Sequence, residues 1–243
     1  DGGQYQNVSD AIHHAQKLVA EGADLIDVGG ESTRPGSCGT DAAEEIQRVV
    51  PVIRELVARL AVPISVDTSK PEVMAAAVAV GAGLINDIRA LRADGAIEVA
   101  RALGVPVCLM HMQGKPETMG DDPHYQDVVR EVEEFLRYRV AACVEGGISQ
   151  QQLLIDPGFG FGKNFDHNRR LLLELDVFTG LGLPLTVGFS RKGFVGALLG
   201  DLNRDRAIGS AGLALLAVQK GARVVRTHDV VPTRDLIRSW ERL

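Results

Sequence analysis

One alternation runs the length of this chain seven times: a short β-branched, apolar run that stops on polar residues, followed by a stretch with helical period. The runs are residues 24–30 (DLIDVGG), 63–68 (PISVDT), 84–88 (LINDI), 105–112 (VPVCLMHM), 153–159 (LLIDPGF), 184–189 (PLTVGF) and 223–229 (RVVRTHD). Several stay apolar almost to their last residues, as expected of parallel strands covered on both faces. Residues 9–21, 44–60, 71–80, 127–145 and 205–219 read as helices. Ser9 is the expected N-cap of the first, and Pro71 suits a first turn, where its missing N–H has no partner to lose. Gly22, Gly81, Gly104, Gly147 and Gly221 each follow a helix and lead into the next strand, as helix stops do.

The spacing is regular and no linker breaks it, so residues 1–243 are expected to form a single domain with one large core. Seven β–α units opening on a helix predict an α/β fold, a (β/α)8 TIM barrel whose first strand and most of loop 1 are missing from this chain, ahead of Asp1. A doubly wound open sheet needs fewer strands and gathers its site at one switch point rather than at every strand end. The formal net charge of −6, with no basic run, disfavours nucleic acid, and no apolar stretch reaches membrane-span length. Three scattered cysteines, Cys38, Cys108 and Cys143, match no metal-ligand spacing. They suit a reducing compartment, so the expected location is cytoplasmic, with Cys108 and Cys143 packing as small hydrophobes.

In a barrel the strand C-terminal ends converge on one mouth, where active sites lie. Those ends carry Gly29-Gly30-Glu31-Ser32-Thr33-Arg34, Asp67-Thr68, Asn86-Asp87, His111, Asp156, Ser190-Arg191-Lys192, and Arg226 with His228. Singly, Asp67, Asn86 and Asp156 read equally well as helix caps or Asx-turns, although Thr68 and Ser69 are better placed to cap before Pro71. Lys192 and Arg226 read singly as surface charges, and His228 as a core histidine satisfied by backbone. His13, His14, His124 and His167 sit in helical or loop sequence and are expected to be solvated. Jointly the ring implies a ligand. Asp67, Asn86 and Asp156 offer acceptors and one amide to a flat heterocycle with ring N–H and amino donors. Lys192, Arg226 and His228 offer cationic donors for phosphate or carboxylate.

Two other patterns fail on inspection. The run Gly158-Phe159-Gly160-Phe161-Gly162-Lys163 looks like a phosphate loop, but Pro157 falls where its first glycine belongs and Asn164 where Ser or Thr is required. A pair of mouth carboxylates could serve glycoside hydrolysis, but three basic side chains in the same mouth make that unnatural.

Residues 26–36 (IDVGGESTRPG), 66–71 (VDTSKP), 86–88 (NDI), 108–119 (CLMHMQGKPETM), 156–164 (DPGFGFGKN), 188–194 (GFSRKGF) and 226–230 (RTHDV) together resemble the dihydropteroate synthase family, the pterin-binding barrels of folate biosynthesis. The resemblance covers essentially the whole chain, in order. It implies a transferase that condenses 6-hydroxymethyl-7,8-dihydropterin diphosphate with p-aminobenzoate, releasing pyrophosphate, and it implies a Mg2+ cofactor, a homodimer and a sulfonamide target. By that resemblance Asp67, Asn86, Asp156 and Lys192 would hold the pterin, with Met110 and Gly188 lining its pocket and Arg226 covering its face. Arg226, His228 and Thr33 would bind the diphosphate. Thr33, Arg34, Pro35, Phe161, Ser190 and Lys192 would shape the aminobenzoate site. The catalytic set would be Asp67, Lys192, Arg226 and His228. The family opens on a strand and loop of which this chain has only the final DGG; that segment carries an Asn used toward Mg2+, so no metal ligand is named here. Leu213, Leu215 and Leu216 serve equally as dimer interface or barrel packing.

An arylamine is neutral and nucleophilic at pH 7, so the demanding step is loss of diphosphate from the pterin methylene. The expectation is a dissociative displacement, with Arg226, His228 and Mg2+ at the leaving anion and Asp67 favouring the pterin cation. Two alternatives share the pterin anchors: a corrinoid methyltransferase using methyltetrahydrofolate, and a non-catalytic pterin-binding paralogue. The STRPG, SRK and R-x-H motifs speak against the first, and the intact motifs against the second.

Overall fold

The computed structural model describes residues 5, 7–33, 39–114, 119 and 122–243. Two compact units emerge, one from residues 1–110 and 139–153, the other from 111–138 and 154–243.

In the first unit, β1 (Ile26–Gly29), β2 (Ile64–Asp67), β3 (Leu84–Asp87) and β4 (Val107–Met110) pair in parallel, each with the next in sequence. Their register sets Gly29 beside Asp67 and Asp67 beside Asn86, which brings the polar strand ends into one row. The helices between are α1 (Val8–Ala20), α2 (Ala42–Arg59), α3 (Pro71–Ala79) and α4 (Ala96–Leu103), each packed on the one before. Val49, Val52, Ile53 and Leu56 of α2 recur at helical spacing and are buried. That stripe carries the helix through Pro51, whose ring costs a helix interior about 3 kcal/mol. Asp41 starts α2 by accepting the Glu44 N–H at 2.8 Å. The expected cap of α1 is displaced: Asn7, not Ser9, is the N-cap, and its side chain accepts the Ser9 N–H at 2.9 Å. Thr68 accepts the Lys70 N–H at 3.2 Å, but Ser69 turns to Asp87 and Lys70 is the uncapped N-cap of α3.

In the second unit, β5 (Leu153–Asp156), β6 (Leu185–Val187) and β7 (Ala222–Val225) pair in parallel through Ile155 with Leu185 and through Val187 with Val225. Residues 128–138 of α5 (Val128–Glu145) belong to this unit and 139–145 to the first. It also holds α6 (Phe165–Leu173), α7 (Gly193–Leu198), α8 (Ala207–Gln219) and α9 (Val230–Glu241), with α8 packed on β7 and α9. Its core centres on Phe159, Phe178 and Phe189, the first and last in tilted contact at 4.5 Å between ring centres. The five glycines read as helix stops all have positive φ, from +67° to +107°, where a side chain would clash with the backbone. Seven parallel strands, each followed by helical chain, give the repeat of a TIM-type α/β fold.

Candidate active site

The first unit carries an acidic and amide row at its strand ends. Asp67 closes β2 and is buried, and the half-buried Asn86 lies next to it in register. The Asn86 carbonyl accepts the Thr68 N–H at 3.0 Å, locking the two strand ends together. Sequence reasoning missed Asp27. It sits inside β1, where its Oδ2 accepts the Asn86 Nδ2 at 3.2 Å and its Oδ1 accepts the Ser65 hydroxyl at 2.5 Å. With its amide N–H directed at Asp27, the Asn86 Oδ1 is left as the acceptor end of the side chain. A carboxylate in the middle of an apolar run was the available signal. Asp87, fully buried, accepts the Ser69 hydroxyl and the backbone N–H groups of Arg89 and Leu91, and burial pushes its pKa up. Its place is structural: it ties the turn after β3 to the start of α3. Met110 closes β4, buried. Thr33 is half-buried beyond β1, while Arg34 and Pro35 lie outside the described residues.

A second cluster in this unit is an ion triad. Lys70 donates to Glu31, on the segment after β1, and to the wholly buried Glu45 of α2. Desolvation draws the ammonium pKa down, but the two carboxylates outweigh it and the net shift is upward.

The second unit gathers the cations. Asp156 closes β5, buried, and accepts the Gly158 N–H at 2.7 Å. Burial raises its pKa, and the charges of Lys192, Lys163 and Arg226 oppose that rise. Lys192 donates to the Phe159 carbonyl and stands 4.7 Å from the Phe161 ring centre, a cation–π contact. Burial lowers the Lys192 pKa to about 8; Asp156 acts against the shift and Arg226 with it. A Cβ on Gly188 would come 3.6 Å from the Arg226 Cβ and 4.0 Å from the Lys192 ammonium, so this glycine leaves open the space those two side chains border. Arg226 is exposed, and its backbone N–H donates to Val187 at 2.8 Å.

The sequence suggests His228 as a cationic donor; in the structure its ring follows β7 and is half-buried. Burial, with the guanidinium groups of Arg191 and Arg226 nearby, pulls its pKa down to about 4, leaving the ring neutral at pH 7. Its partner is another expected site residue: Ser190 Oγ accepts the His228 backbone N–H at 3.1 Å and lies 2.9 Å from Nδ1. Lys163 enters the sequence reading in the failed phosphate-loop pattern and in the run 156–164, with no role of its own. Its ammonium is buried, donating to the carbonyls of Gly158 (2.8 Å) and Phe161 (2.9 Å) and lying 2.9 Å from His111 Nδ1. It pins the loop that carries Phe161. A lysine inside a run of alternating glycines was the signal for such a clamp. Among the described residues no three His, Cys, Asp or Glu side chains converge to hold a metal, and no helix is long and apolar enough to cross a membrane.

The chain can be set beside known proteins. The family model for pterin binding enzymes matches residues 1–228. Dihydropteroate synthase of Escherichia coli K12 is 49% identical over 241 residues, covering 99% of this chain and 86% of that protein. The structure of the Yersinia pestis dihydropteroate synthase with a sulfonamide drug superposes with a TM-score of 0.96 at 47% identity, covering 100% of this chain and 88% of the other. The Xanthomonas albilineans dihydropteroate synthase in complex with 7,8-dihydropteroate superposes with a TM-score of 0.89 at 47% identity, covering 100% and 87%.

Proposed function

This chain belongs to the pterin binding enzyme family, and on that premise we propose that it is a dihydropteroate synthase. It is a transferase that joins 6-hydroxymethyl-7,8-dihydropterin diphosphate to p-aminobenzoate, giving 7,8-dihydropteroate and pyrophosphate. The observation that carries the reading is the grouping of a buried carboxylate, Asp156, with the cations Lys192 and Arg226. The carboxylate suits the amino and ring N–H edge of a pterin, and the cations suit the anion that departs from it. The near-complete match to dihydropteroate synthases gives no support to the corrinoid methyltransferase or the silent paralogue. The closed eight-stranded barrel remains part of the proposal.

In this reading Asp67, Asn86, Asp156 and Lys192 hold the pterin edge, Met110 and Gly188 line its pocket, and Arg226 covers its face. Asp27 sets the orientation of the Asn86 amide. As the C–O bond to the diphosphate breaks, positive charge spreads from the methylene into the pterin ring, and the Asp67 carboxylate stabilises it. Arg226 compensates the leaving anion, joined by Thr33 and by the neutral His228 as a single N–H donor. The arylamine then attacks the methylene carbon. Its displaced proton goes to solvent or to the departing pyrophosphate, so no strong base is needed. Arg34, Pro35, Phe161 and Ser190 shape the aminobenzoate site, where a sulfonamide would compete. A Mg2+ ion, when bound, would supply charge compensation to the diphosphate; among the described residues no three His, Cys, Asp or Glu side chains converge to hold it. A cytoplasmic location agrees with the buried thiols Cys108 and Cys143. For the homodimer, the exposed Ile208 of α8 offers a partner more surface than the half-buried Leu213, Leu215 and Leu216.

The test is pyrophosphate release from purified protein with each substrate omitted in turn. Release should require both substrates, and the organic product should be 7,8-dihydropteroate. Release independent of p-aminobenzoate would overturn the assignment.

A further inference from the structure

Arg191 has a backbone φ of +59°, a left-handed conformation that costs a non-glycine residue about 1 kcal/mol or more. Its surroundings hold it there. The Arg191 N–H donates to Ser210 Oγ at 3.3 Å, and its carbonyl accepts from Arg206 Nη1 at 2.8 Å. The guanidinium then spans from the segment after β6 to the segment after β7. Nη2 lies 2.8 Å from Asp229 Oδ1 and Nε lies 3.2 Å from Oδ2, a fork-to-fork pair. That pair is the foremost reason why the Asp229 carboxyl sits below the ordinary carboxylate range. The residue before Arg191 makes the parallel connection, Ser190 to His228. Two consecutive residues of one segment therefore grip two consecutive residues of the other.

Only the inner half of this double grip faces chemistry in the reading above. Ser190 is buried, whereas the Arg191 side chain is about half exposed at 52%. Glycine would fit φ +59° without strain. An arginine there trades backbone comfort for what its guanidinium holds.

We propose that Arg191 and Asp229 are positioning residues of the synthase reaction: their forked pair fixes the spacing between the segments after β6 and β7, so that Ser190 meets the aminobenzoate and His228 the diphosphate in a preset arrangement. The proposal rests on the dihydropteroate synthase reading and on the roles that reading gives Ser190 and His228. An exposed ion pair contributes little to global stability, typically below about 1 kcal/mol. Loss of the preset geometry should instead appear in substrate affinity, because ordering the loops then draws on binding energy.

The experiment compares wild type, Arg191→Gly, Asp229→Asn and the double variant, with both substrates varied in the pyrophosphate-release assay and urea unfolding followed in parallel. Arg191→Gly removes the guanidinium while leaving the N–H that meets Ser210 and the carbonyl that meets Arg206. The expected result is a KM for p-aminobenzoate raised about fivefold in each single variant, with kcat within about twofold and unfolding midpoints unchanged, a modest loss in keeping with one exposed ion pair. Because both residues act through one contact, the double variant should be no worse than either single one. Wild-type KM values in Arg191→Gly, or losses that simply add in the double variant, would overturn the clamp while leaving the synthase assignment intact. A KM rise that tracks a falling unfolding midpoint would reduce the pair to a stabilising contact and also overturn it. Wild-type protein with no pyrophosphate release dependent on both substrates would overturn the assignment and the clamp together.

Discussion

Substituting Lys192 by Arg exchanges a loosely held proton for a permanent one. In the wild-type protein the Lys192 pKa is brought down to about 8, chiefly by burial and further by Arg226, against the pull of Asp156. The ammonium is charged below that value and neutral above it. If its charge is needed to hold the pterin and balance Asp156, kcat/KM for the pterin substrate must fall on the alkaline side. A single group of pKa near 8 is about 90% protonated at pH 7 and about 10% at pH 9, so kcat/KM should drop about tenfold across those two units. A guanidinium keeps its proton throughout this range. The Lys192→Arg enzyme should therefore show lower activity at pH 7, from poorer geometry against the Phe159 carbonyl, but a flat alkaline limb. The assay is initial-rate pyrophosphate release from about pH 6.5 to about pH 9.5 at saturating p-aminobenzoate, a range that brackets this titration. A wild-type profile flat across that range, or an alkaline limb that persists unchanged in Lys192→Arg, would refute the role of this proton.

Asp67→Ala should remove most of kcat while leaving the fold intact by circular dichroism; turnover close to wild type would end its role at the pterin cation. Asp156→Ala should weaken binding of a pterin ligand at least about tenfold by calorimetry, since a charge-assisted hydrogen bond contributes about 1.5–3 kcal/mol; unchanged affinity would remove it as an anchor. Lys70→Met strands the buried Glu45 carboxylate without its cation and should cost about 3 kcal/mol in urea unfolding, recovered in part when Glu45→Leu is added. An undiminished midpoint in the single variant would show that the triad contributes nothing. Gly162→Ala forces a side chain onto φ +62° with its Cβ only 2.4 Å from the Gln113 carbonyl oxygen, and should cost about 2–4 kcal/mol by the same measurement. A neutral result would mean that the loop shifts freely.

The placement of much of the candidate site was legible in the sequence, for a physical reason: in parallel β–α chains the core demands apolar residues along each strand and is indifferent to the residues just beyond it. Polar side chains at the ends of β2, β3 and β5 therefore stand out in one dimension, and Asp67, Asn86 and Asp156 are found there. The helix stops were legible too, because left-handed backbone selects glycine almost by itself. Sequence could not supply whatever depends on which side chains meet. Asn7 rather than Ser9 caps α1, because both residue types cap well and only the backbone path chooses. Asp27 looks like any interruption of an apolar run until parallel register and strand twist bring its carboxylate to the Asn86 amide. The charge of His228 is a property of burial and of neighbouring guanidinium groups, neither of which is written in R-x-H. The sequence by itself determined the repeat, the strand-end chemistry and the family. Only tertiary structure decided the partners and protonation states, since those depend on distance and desolvation between residues far apart in the chain.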